Sequence, residues 1–213
     1  FFDNALTLDL TFYHSNTRKQ TFLRPITVAE GYSSEYVQTG NVRNRGIELS
    51  IGYNKTWGDF TWNTNFTYSM NQNKIVELLK DDSEVINVGG LNGANIILKK
   101  GGTMGDVYTY TDFARDQEGN IALDASGNVI RETLTNPEYR GSVLPKGNFG
   151  FSNDFTWKGI NLGFLVSARV GGIVMSQTQA ILDYYGVSQR SADAREAGGI
   201  PVNTGTVSAE SYY

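Results

Sequence analysis

The chain has 213 residues, no cysteine, 18 basic and 22 acidic side chains, and a formal net charge of −4. This balance argues against a nucleic-acid partner held by phosphate neutralisation, and the missing thiols exclude disulfides, thiolate metal sites and cysteine nucleophiles. Mean hydropathy is −0.33 and no run of eighteen apolar residues occurs, which excludes a transmembrane helix.

The composition predicts an all-β protein. Glycine, tyrosine and phenylalanine are abundant, proline is scarce, and short alternating runs are joined by Gly- and Asn-rich segments. The first residues include neither an initiator methionine nor a signal peptide. We therefore expect either a processed chain or part of a longer one.

The first strand is predicted at about residues 4–13, where leucine and phenylalanine alternate with polar residues. The segment 15–44 is rich in Gly, Ser, Thr and Asn and is interrupted at Arg24-Pro25, which predicts a long loop.

A hairpin follows, with strands at about residues 45–54 and 59–70. Its apolar side is predicted to contain Ile47, Leu49, Ile51, Tyr53, Phe60, Trp62, Phe66, Tyr68 and Met70. A tilted strand of about ten residues is long enough to cross the hydrocarbon layer of an outer membrane. The hairpin therefore has membrane-crossing length.

Residues 71–147 lack sustained alternation and are predicted to form a second long loop. Short strands are expected at 96–98 and 106–110, and a small hairpin at 118–130 that turns at 126–128. Insertions of this length between strands are usually functional.

Two more strands are predicted at about 148–157 and 161–170. The tight turn between them is either Lys158-Gly159 or Gly159-Ile160, and both registers keep the apolar faces aligned. Residues 172–213 are predicted as a third loop, with short helical pieces at 181–185 and 191–197.

Tight turns and long loops alternate along the chain, as they do in outer-membrane barrels. The predicted apolar faces contain no charged residue, and a basic side chain facing lipid costs about 2–4 kcal/mol at mid-membrane. A soluble β-sandwich also alternates, but its strands usually have five or six residues. The predicted fold class is therefore a portion of an antiparallel transmembrane β-barrel with long extracellular loops.

Several motifs in order resemble the late barrel strands of SusC/RagA-type TonB-dependent transporters. They are Leu8–Tyr13, Asn44–Leu49, Phe60–Trp62, Tyr68–Val76, Gly101–Gly105, Leu144–Phe151 and Phe155–Leu162. Together these motifs span most of the chain.

The resemblance implies a 22-stranded barrel in the outer membrane of a Gram-negative bacterium, plugged by an N-terminal domain. Such proteins import oligosaccharides or peptides beneath a SusD-like surface lipoprotein. TonB, which engages the N-terminal region, supplies the energy. The chain would then be a C-terminal portion of the barrel, in contact with outer-membrane lipid.

Candidate sites follow from the two faces and the loops. Asp9, Glu48, Asp154 and Arg169 are expected to face the lumen, where they contact substrate or the plug, or simply hydrate the wall. The loop tyrosines are candidates for stacking on sugar rings or for contact with a lid protein, and packing within the loops is an equal alternative. These tyrosines are Tyr32, Tyr36, Tyr108, Tyr110 and Tyr139.

No catalytic residue and no resident metal are predicted. His14 is the only histidine, so we expect neither a catalytic triad nor a multi-histidine metal site unless another chain completes it. The acidic residues of the 112–124 segment (Asp112, Asp116, Glu118 and Asp124) have the oxygen ligands that calcium prefers. Their spacing matches no complete EF-hand, and we favour a solvated acidic loop.

Two alternatives to the transporter stay open at this stage. A secreted all-β carbohydrate-binding module would be a soluble monomer without detergent. An outer-membrane barrel enzyme would need a nucleophile, a base and an orienting group, which the sequence does not offer together.

Overall fold

The computed structural model describes residues 2, 5–25, 31, 33–78, 85–91, 93–203 and 205–213. The chain divides into two compact units. The first unit comprises Phe1–Gly89, Ile96–Val107 and Gly141–Ile173, and the second comprises Gly90–Asn95, Tyr108–Arg140 and Val174–Tyr213. Within the described part of the chain, no helix is long and apolar enough to cross a membrane.

Strands dominate the structure. They are β1 (Leu6–Pro25), β2 (Ser34–Trp57), β3 (Phe60–Glu77), β4 (Ile86–Leu91), β5 (Ala94–Leu98), β6 (Asp106–Phe113), β7 (Arg131–Ser142), β8 (Gly147–Trp157), β9 (Ile160–Val170), β10 (Ile200–Val202) and β11 (Gly205–Val207). The helices are α1 (Gln177–Tyr184), α2 (Gln189–Glu196) and α3 (Ala209–Tyr212).

Five long strands form one antiparallel sheet in the order β1-β2-β3-β8-β9. β1 and β2 pair with an unshifted register over their length, and β2 and β3 pair with one irregularity, between Asn41 and Val42. The five segments predicted to be strands lie in this sheet, except for Ala5 and Asp59, which are in turns, and residue 4, which falls outside the described residues. A second sheet has the order β4-β5-β6-β7.

The sheet has two chemically distinct faces, because the register places every second residue of each strand in line with those of its neighbours. One row contains Leu10, Leu49, Tyr68, Phe149 and Ala168, and the next row, on the opposite face, contains Thr11, Glu48, Ser69, Asn148 and Arg169. We call these the apolar face and the polar face. The apolar face comprises Leu6, Leu8, Leu10, Phe12, Ile47, Leu49, Ile51, Tyr53, Phe60, Trp62, Phe66, Tyr68, Met70, Phe149, Phe151, Phe155, Trp157, Ile160, Leu162, Phe164, Val166, Ala168 and Val170, with Thr64 and Asn153 among them.

Two tight turns close this sheet at one end. Trp157 pairs with Ile160, so the turn is Lys158-Gly159, one of the two predicted registers. Both turn residues have positive φ, +47° and +83°, as a type I′ turn requires. In the other turn Gly58 has φ of +59°, which glycine adopts without strain.

The prediction of a long loop at 15–44 is wrong for most of these residues. β1 continues to Pro25 and β2 begins at Ser34, so most of this segment is paired strand. Beyond Phe12 both faces of these strands are largely polar, and polar side chains produce no alternation in the sequence. Backbone pairing alone defines the strands there.

The second long loop, predicted at 71–147, is also more ordered than expected. β3 continues to Glu77, and β4 to β7 form the second sheet. The short strands expected at 96–98 and 106–110 correspond to β5 and the start of β6. The 118–130 segment has two isolated bridges, Arg115 with Ile121 and Leu123 with Val129, rather than one continuous hairpin.

Residues 172–213 contain the expected helical pieces, but the helices begin earlier. Ser176 and Ser188 cap α1 and α2, and each hydroxyl accepts a backbone N–H bond from the residue three positions later. The pairing of β10 with β11 was not predicted.

The buried core of the first unit lies where β1, β2 and β3 continue beyond the apolar face. It is formed by Phe22, Val42, Ile75, Leu78, Ile86 and Leu98, with Ile96 and Met104 packed against it. The loop after β5 is bound to β3, because Ile75 N–H donates to Gly102 O and Gly101 N–H donates to Ile75 O. This core supports the strand ends above the two-faced part of the sheet.

Candidate functional site

The apolar face is largely uncovered in this chain. Leu8, Phe12 and Val166 are each more than half exposed, as are Ile160 and Leu162. Soluble monomers rarely leave an apolar surface of this extent in water. The face therefore requires an apolar environment, which a bilayer would supply.

The two polar residues of the apolar face have their own hydrogen bonds. Thr64 Oγ1 donates to the Ser152 carbonyl oxygen at 3.0 Å. Asn153 is 3% exposed, and its Oδ1 accepts the indole N–H of Trp62 at 3.0 Å. Pairing of this kind lowers the cost of placing polar groups on a surface without water.

Aromatic rings concentrate at the tight-turn end of the apolar face. Trp57 stacks with Phe60, and Trp62 stacks with Phe155, with ring centroids 6.1 Å apart in both pairs. The Lys158 ammonium lies 5.5 Å from the centre of the Trp157 ring. Aromatic and basic side chains in this combination are typical of a membrane–water interface.

The polar face contains a groove of about 470 Å³. Asp9 and Glu48 line it, and Thr11 Oγ1 donates to Asp9 Oδ1 at 3.4 Å. Gly150 leaves space for the Thr67 hydroxyl on this face, because a Cβ at position 150 would lie only 2.6 Å from Thr67 Oγ1. The groove therefore presents two carboxylates among hydroxyl and amide groups, which suits hydrated polar molecules.

The other two predicted lumen residues share this face but lie apart from the groove. Arg169 is in the same row as Glu48, three strands away, and its Nη2 donates to the Val143 carbonyl oxygen at 2.9 Å. Asp154 lies nearer the tight-turn end, opposite Asn63 and Gly163. The structure thus brings Asp9 and Glu48 into one groove and leaves Arg169 and Asp154 outside it.

The loop tyrosines are also separated. Tyr108 and Tyr139 lie on β6 and β7 with ring centroids 5.4 Å apart, and Tyr110 lies two residues from Tyr108 on β6. Tyr36 lies on β2 and is 78% exposed. Tyr32 lies outside the described residues. Among the four of these tyrosines that the structure describes, Tyr108 and Tyr139 contact each other, as packing within the loops would require.

Two turns of the same sequence type interrupt the 112–130 segment. In the first, Asp116 Oδ1 accepts the backbone N–H groups of Glu118 and Asn120, both at 2.9 Å. In the second, Asp124 Oδ1 accepts those of Ser126 and Asn128 at 2.8 and 2.9 Å. The pKa of each aspartate is lowered below its ordinary value, and the largest cause is the hydrogen bonds from the asparagine of its turn.

The acidic residues of this segment do not converge on one point. Burial raises the pKa of Asp112, but hydrogen bonds from Arg140 and from the Phe113 N–H outweigh it, and the net pKa is lowered. Arg140 Nη2 lies 2.9 Å from Asp112 Oδ2. Among the described residues, no group of three or more acidic or histidine side chains is placed to hold a metal ion.

Sequence reasoning missed a cavity of about 340 Å³ in the second unit. Tyr184 and Tyr185 line it and are more than two-thirds exposed, beside Asp183, Arg195 and Glu210. Asp183 is 4% exposed, is ion-paired with Arg190, and accepts a bond from Gln179 Nε2 at 2.8 Å. The sequence signal was the Asp-Tyr-Tyr triplet at the end of a short helix.

The sequence profile of the family described as TonB dependent receptor-like, beta-barrel matches residues 1–196. TonB-dependent receptor P3 of Formosa agariphila is 31% identical over 225 residues, which cover 96% of this chain and 22% of that protein. TonB-dependent receptor P39 of the same organism is 26% identical, covering 67% and 14%. The chain thus spans about a fifth of the length of these curated relatives, or less.

Solved structures share the fold. The RagAB peptide importer in its closed-closed state aligns with 80% of this chain and 20% of that chain, at 22% identity and a TM-score of 0.58. Its open-open state aligns with 80% and 19%, at 20% identity and a TM-score of 0.57. Together with the profile match, this likeness confirms the predicted fold class, part of an antiparallel β-barrel.

Proposed function

Because this chain belongs to the TonB-dependent receptor β-barrel family, we propose that it forms part of the wall and loops of an outer-membrane nutrient importer. Proteins of this family are transporters and not enzymes. The chain would be a C-terminal portion of a longer barrel, with the sheet β1-β2-β3-β8-β9 in the membrane.

One observation carries this proposal: the apolar face has the height of a membrane. On β3 it runs from Phe60 to Met70, a rise of ten residues, or about 33 Å along the strand at about 3.3 Å per residue. A tilt near 40° reduces this to about 25 Å, the height of the apolar band of outer-membrane barrels. The Phe60 end has the aromatic rings of an interface, and the Met70 end is followed by polar rows.

The importer is proposed to take up oligosaccharides or peptides together with a SusD-like surface lipoprotein, with energy supplied through TonB. The similarity of the fold to that of a peptide importer supports peptides as the substrate class. The Tyr108 and Tyr139 ring pair and the exposed Tyr184 and Tyr185 support recognition through stacking, which sugar rings accept. The secreted carbohydrate-binding module is disfavoured, because it offers no reason for a 25 Å exposed apolar face.

The experiment is purification of the tagged full-length protein from membranes of its native host. We expect it in the outer-membrane fraction, with an intact mass several times the 23.5 kDa of this chain and a co-purifying surface lipoprotein. Uptake of labelled oligopeptides and oligosaccharides, with and without a protonophore, then separates the two substrate classes. A complete native polypeptide of 23.5 kDa that is soluble without detergent would overturn the proposal.

A further inference from the structure

A basic patch lies directly beyond the apolar face, at the end opposite the tight turns. The same side of β1, β2 and β3 that contains Phe12, Ile47 and Met70 continues into His14, Arg18, Arg43, Arg45 and Lys74. We call these five residues the basic patch. They lie in three successive rows. Arg18, Arg43 and Lys74 fall in segments that the sequence pattern assigned to loops, whereas Arg45 begins a predicted strand.

The patch concentrates positive charge on one surface. Arg43 and Lys74 are direct cross-strand partners, and Arg45 is two residues from Arg43 on the same face. Like charges directly opposite each other in a sheet are destabilising. The ion pairs found among the described residues involve Arg140 and Arg190 instead, and the acidic Glu77 lies at the far edge of the patch, in the row of Arg18.

The hydrogen-bonding capacity of the patch is also unfilled. Arg45 Nε donates to Gln72 Oε1 at 2.9 Å. Arg43 Nε is buried and has no acceptor among the described residues. Arg18, Arg45 and Lys74 are exposed, so their charged ends are available to an external anion.

The distance of the patch from the apolar face indicates which anion it could bind. The last apolar row contains Phe12 and Ile47, and the first row of the patch contains His14 and Arg45. The two rows are two residues apart, or about 7 Å along the strand. When the apolar face lies in hydrocarbon, this is the level of the lipid headgroups on the long-loop side. Guanidinium groups bind phosphate oxygens with two parallel hydrogen bonds.

We propose that the basic patch binds the phosphate groups of a phosphorylated glycolipid in the outer leaflet of the membrane. The proposal rests on the proposed function, because it requires the apolar face to lie in that bilayer. The bound phosphates would neutralise the charges of Arg43 and Lys74, which face each other across the strands. The lipid would also anchor β1 to β3 at the height where their buried core begins.

The test is a titration of the full-length protein in detergent with diphosphoryl lipid A, followed by native mass spectrometry. The comparison ligand is the same lipid A after removal of both phosphates. We expect Arg43→Gln/Lys74→Gln to weaken binding of the phosphorylated lipid by roughly 30-fold, from a factor of about five per cation. Stability without lipid should be unchanged or higher in this variant, because a repulsive pair has been removed.

The matched control is Lys55→Gln/Lys158→Gln, which removes two cations at the tight-turn end of the same surface. It should bind diphosphoryl lipid A like the parent. Equal binding of the two lipids, or an unaffected Arg43→Gln/Lys74→Gln variant, would overturn the proposal. Loss of an acidic protein partner from that variant, with lipid binding intact, would also overturn it and assign the patch to a protein contact.

Failure of this inference and failure of the proposed function give different results. If the full-length protein is not in the outer membrane, the proposed function fails before the titration begins. If it is in the outer membrane but does not distinguish the two lipids, only the lipid site is wrong.

Discussion

Trp62 and Asn153 join β3 to β8 through a hydrogen bond from the indole N–H to the amide Oδ1, 3.0 Å long, on the apolar face of the sheet. Asn153 is almost fully buried, and its Nδ2 has no acceptor among the described residues. The bond explains how an amide occupies a surface that otherwise suits lipid. It also makes each partner sensitive to loss of the other.

This pair provides the first prediction. Trp62→Phe removes the donor and leaves the Asn153 amide wholly unpaired, so we expect a loss of about 1–3 kcal/mol in the free energy of unfolding. Asn153→Leu leaves the indole N–H unpaired and should have a smaller effect of the same sign. The double variant Trp62→Phe/Asn153→Leu, with no polar group to satisfy, should regain most of the loss. Urea unfolding of the full-length protein in lipid vesicles measures all three.

The control for this cycle is Thr61→Ala, which removes a hydroxyl from the polar face of β3. Its effect should be small, because the Thr61 hydroxyl bonds Thr56 at an exposed position. Additive effects of the two single changes in the double variant would mean that the Trp62 and Asn153 hydrogen bond contributes nothing to stability.

The second prediction concerns the assignment of the two faces. Leu49 and Glu48 are neighbours on β2 and lie on opposite faces. Leu49→Lys places a cation against lipid and should cost about 2–4 kcal/mol, lowering the amount of folded protein in the outer membrane. Glu48→Gln should leave folding and insertion intact. Tolerance of Leu49→Lys with failure of Glu48→Gln would reverse the face assignment.

The third prediction is a pH dependence of the two aspartate turns. The pKa of Asp116 and that of Asp124 are lowered in the folded state, so the deprotonated carboxylates stabilise the turns. This stabilisation is fully present above the unfolded pKa, near 3.9, and is lost as the pH falls through the lower folded value. Amide exchange of Asn120 and Asn128, corrected for intrinsic rates, should therefore accelerate in acid.

The matched variants for this prediction are Asp124→Asn and Asp124→Ala. Asparagine keeps an oxygen that accepts the Ser126 and Asn128 N–H groups, so exchange of Asn128 should stay slow and lose its acid dependence. Alanine removes the acceptor, so exchange should be fast at every pH. An acid dependence that survives in Asp124→Asn would show that another group titrates.

The fourth prediction concerns the buried carboxylate of the helical segment. Arg190→Ala removes the ion-pair partner of Asp183 and also the bond from Arg190 Nε to Asp183 Oδ1, 2.8 Å long. Because Asp183 stays buried, we expect α1 and α2 to lose about 1–3 kcal/mol of local stability. Faster amide exchange in residues 177–196 would report this.

The control is Gln189→Ala on the same helix, which breaks an exposed bond from Gln189 Nε2 to Asp193 Oδ1, 2.7 Å long. Its exchange should be close to that of the parent. Equal effects of the two changes would mean that burial of Asp183 does not matter to this segment.

The two-faced part of the sheet was predictable because it must separate lipid from water. Leu6 to Phe12, Ile47 to Tyr53 and Phe149 to Trp157 alternate in the sequence for that reason, and the structure places them in register. Of the candidate groove, Asp9 and Glu48 were recognised as charges on the opposite side. Their proximity was not, because it depends on which strands are neighbours.

The extension of β1 beyond Tyr13 and of β2 before Arg45 was not predictable from alternation. Arg43 continues the phase of Arg45 and Ile47, but most of its neighbours on both faces are polar, so the sequence shows no alternation there. Val42 and Ile75 form part of the core there, and they are isolated apolar residues in the sequence. Their packing with Phe22 becomes visible only in the folded structure.

The most direct test of the account is a cysteine scan of β2, since the chain has no native cysteine. Each residue from Ile47 to Tyr53 is replaced singly in the full-length protein, and labelling by a water-soluble maleimide is measured in intact outer membranes. The face assignment predicts alternation, with labelling at 48, 50 and 52 and protection at 47, 49, 51 and 53. Uniform labelling along the strand, or the opposite alternation, would contradict it.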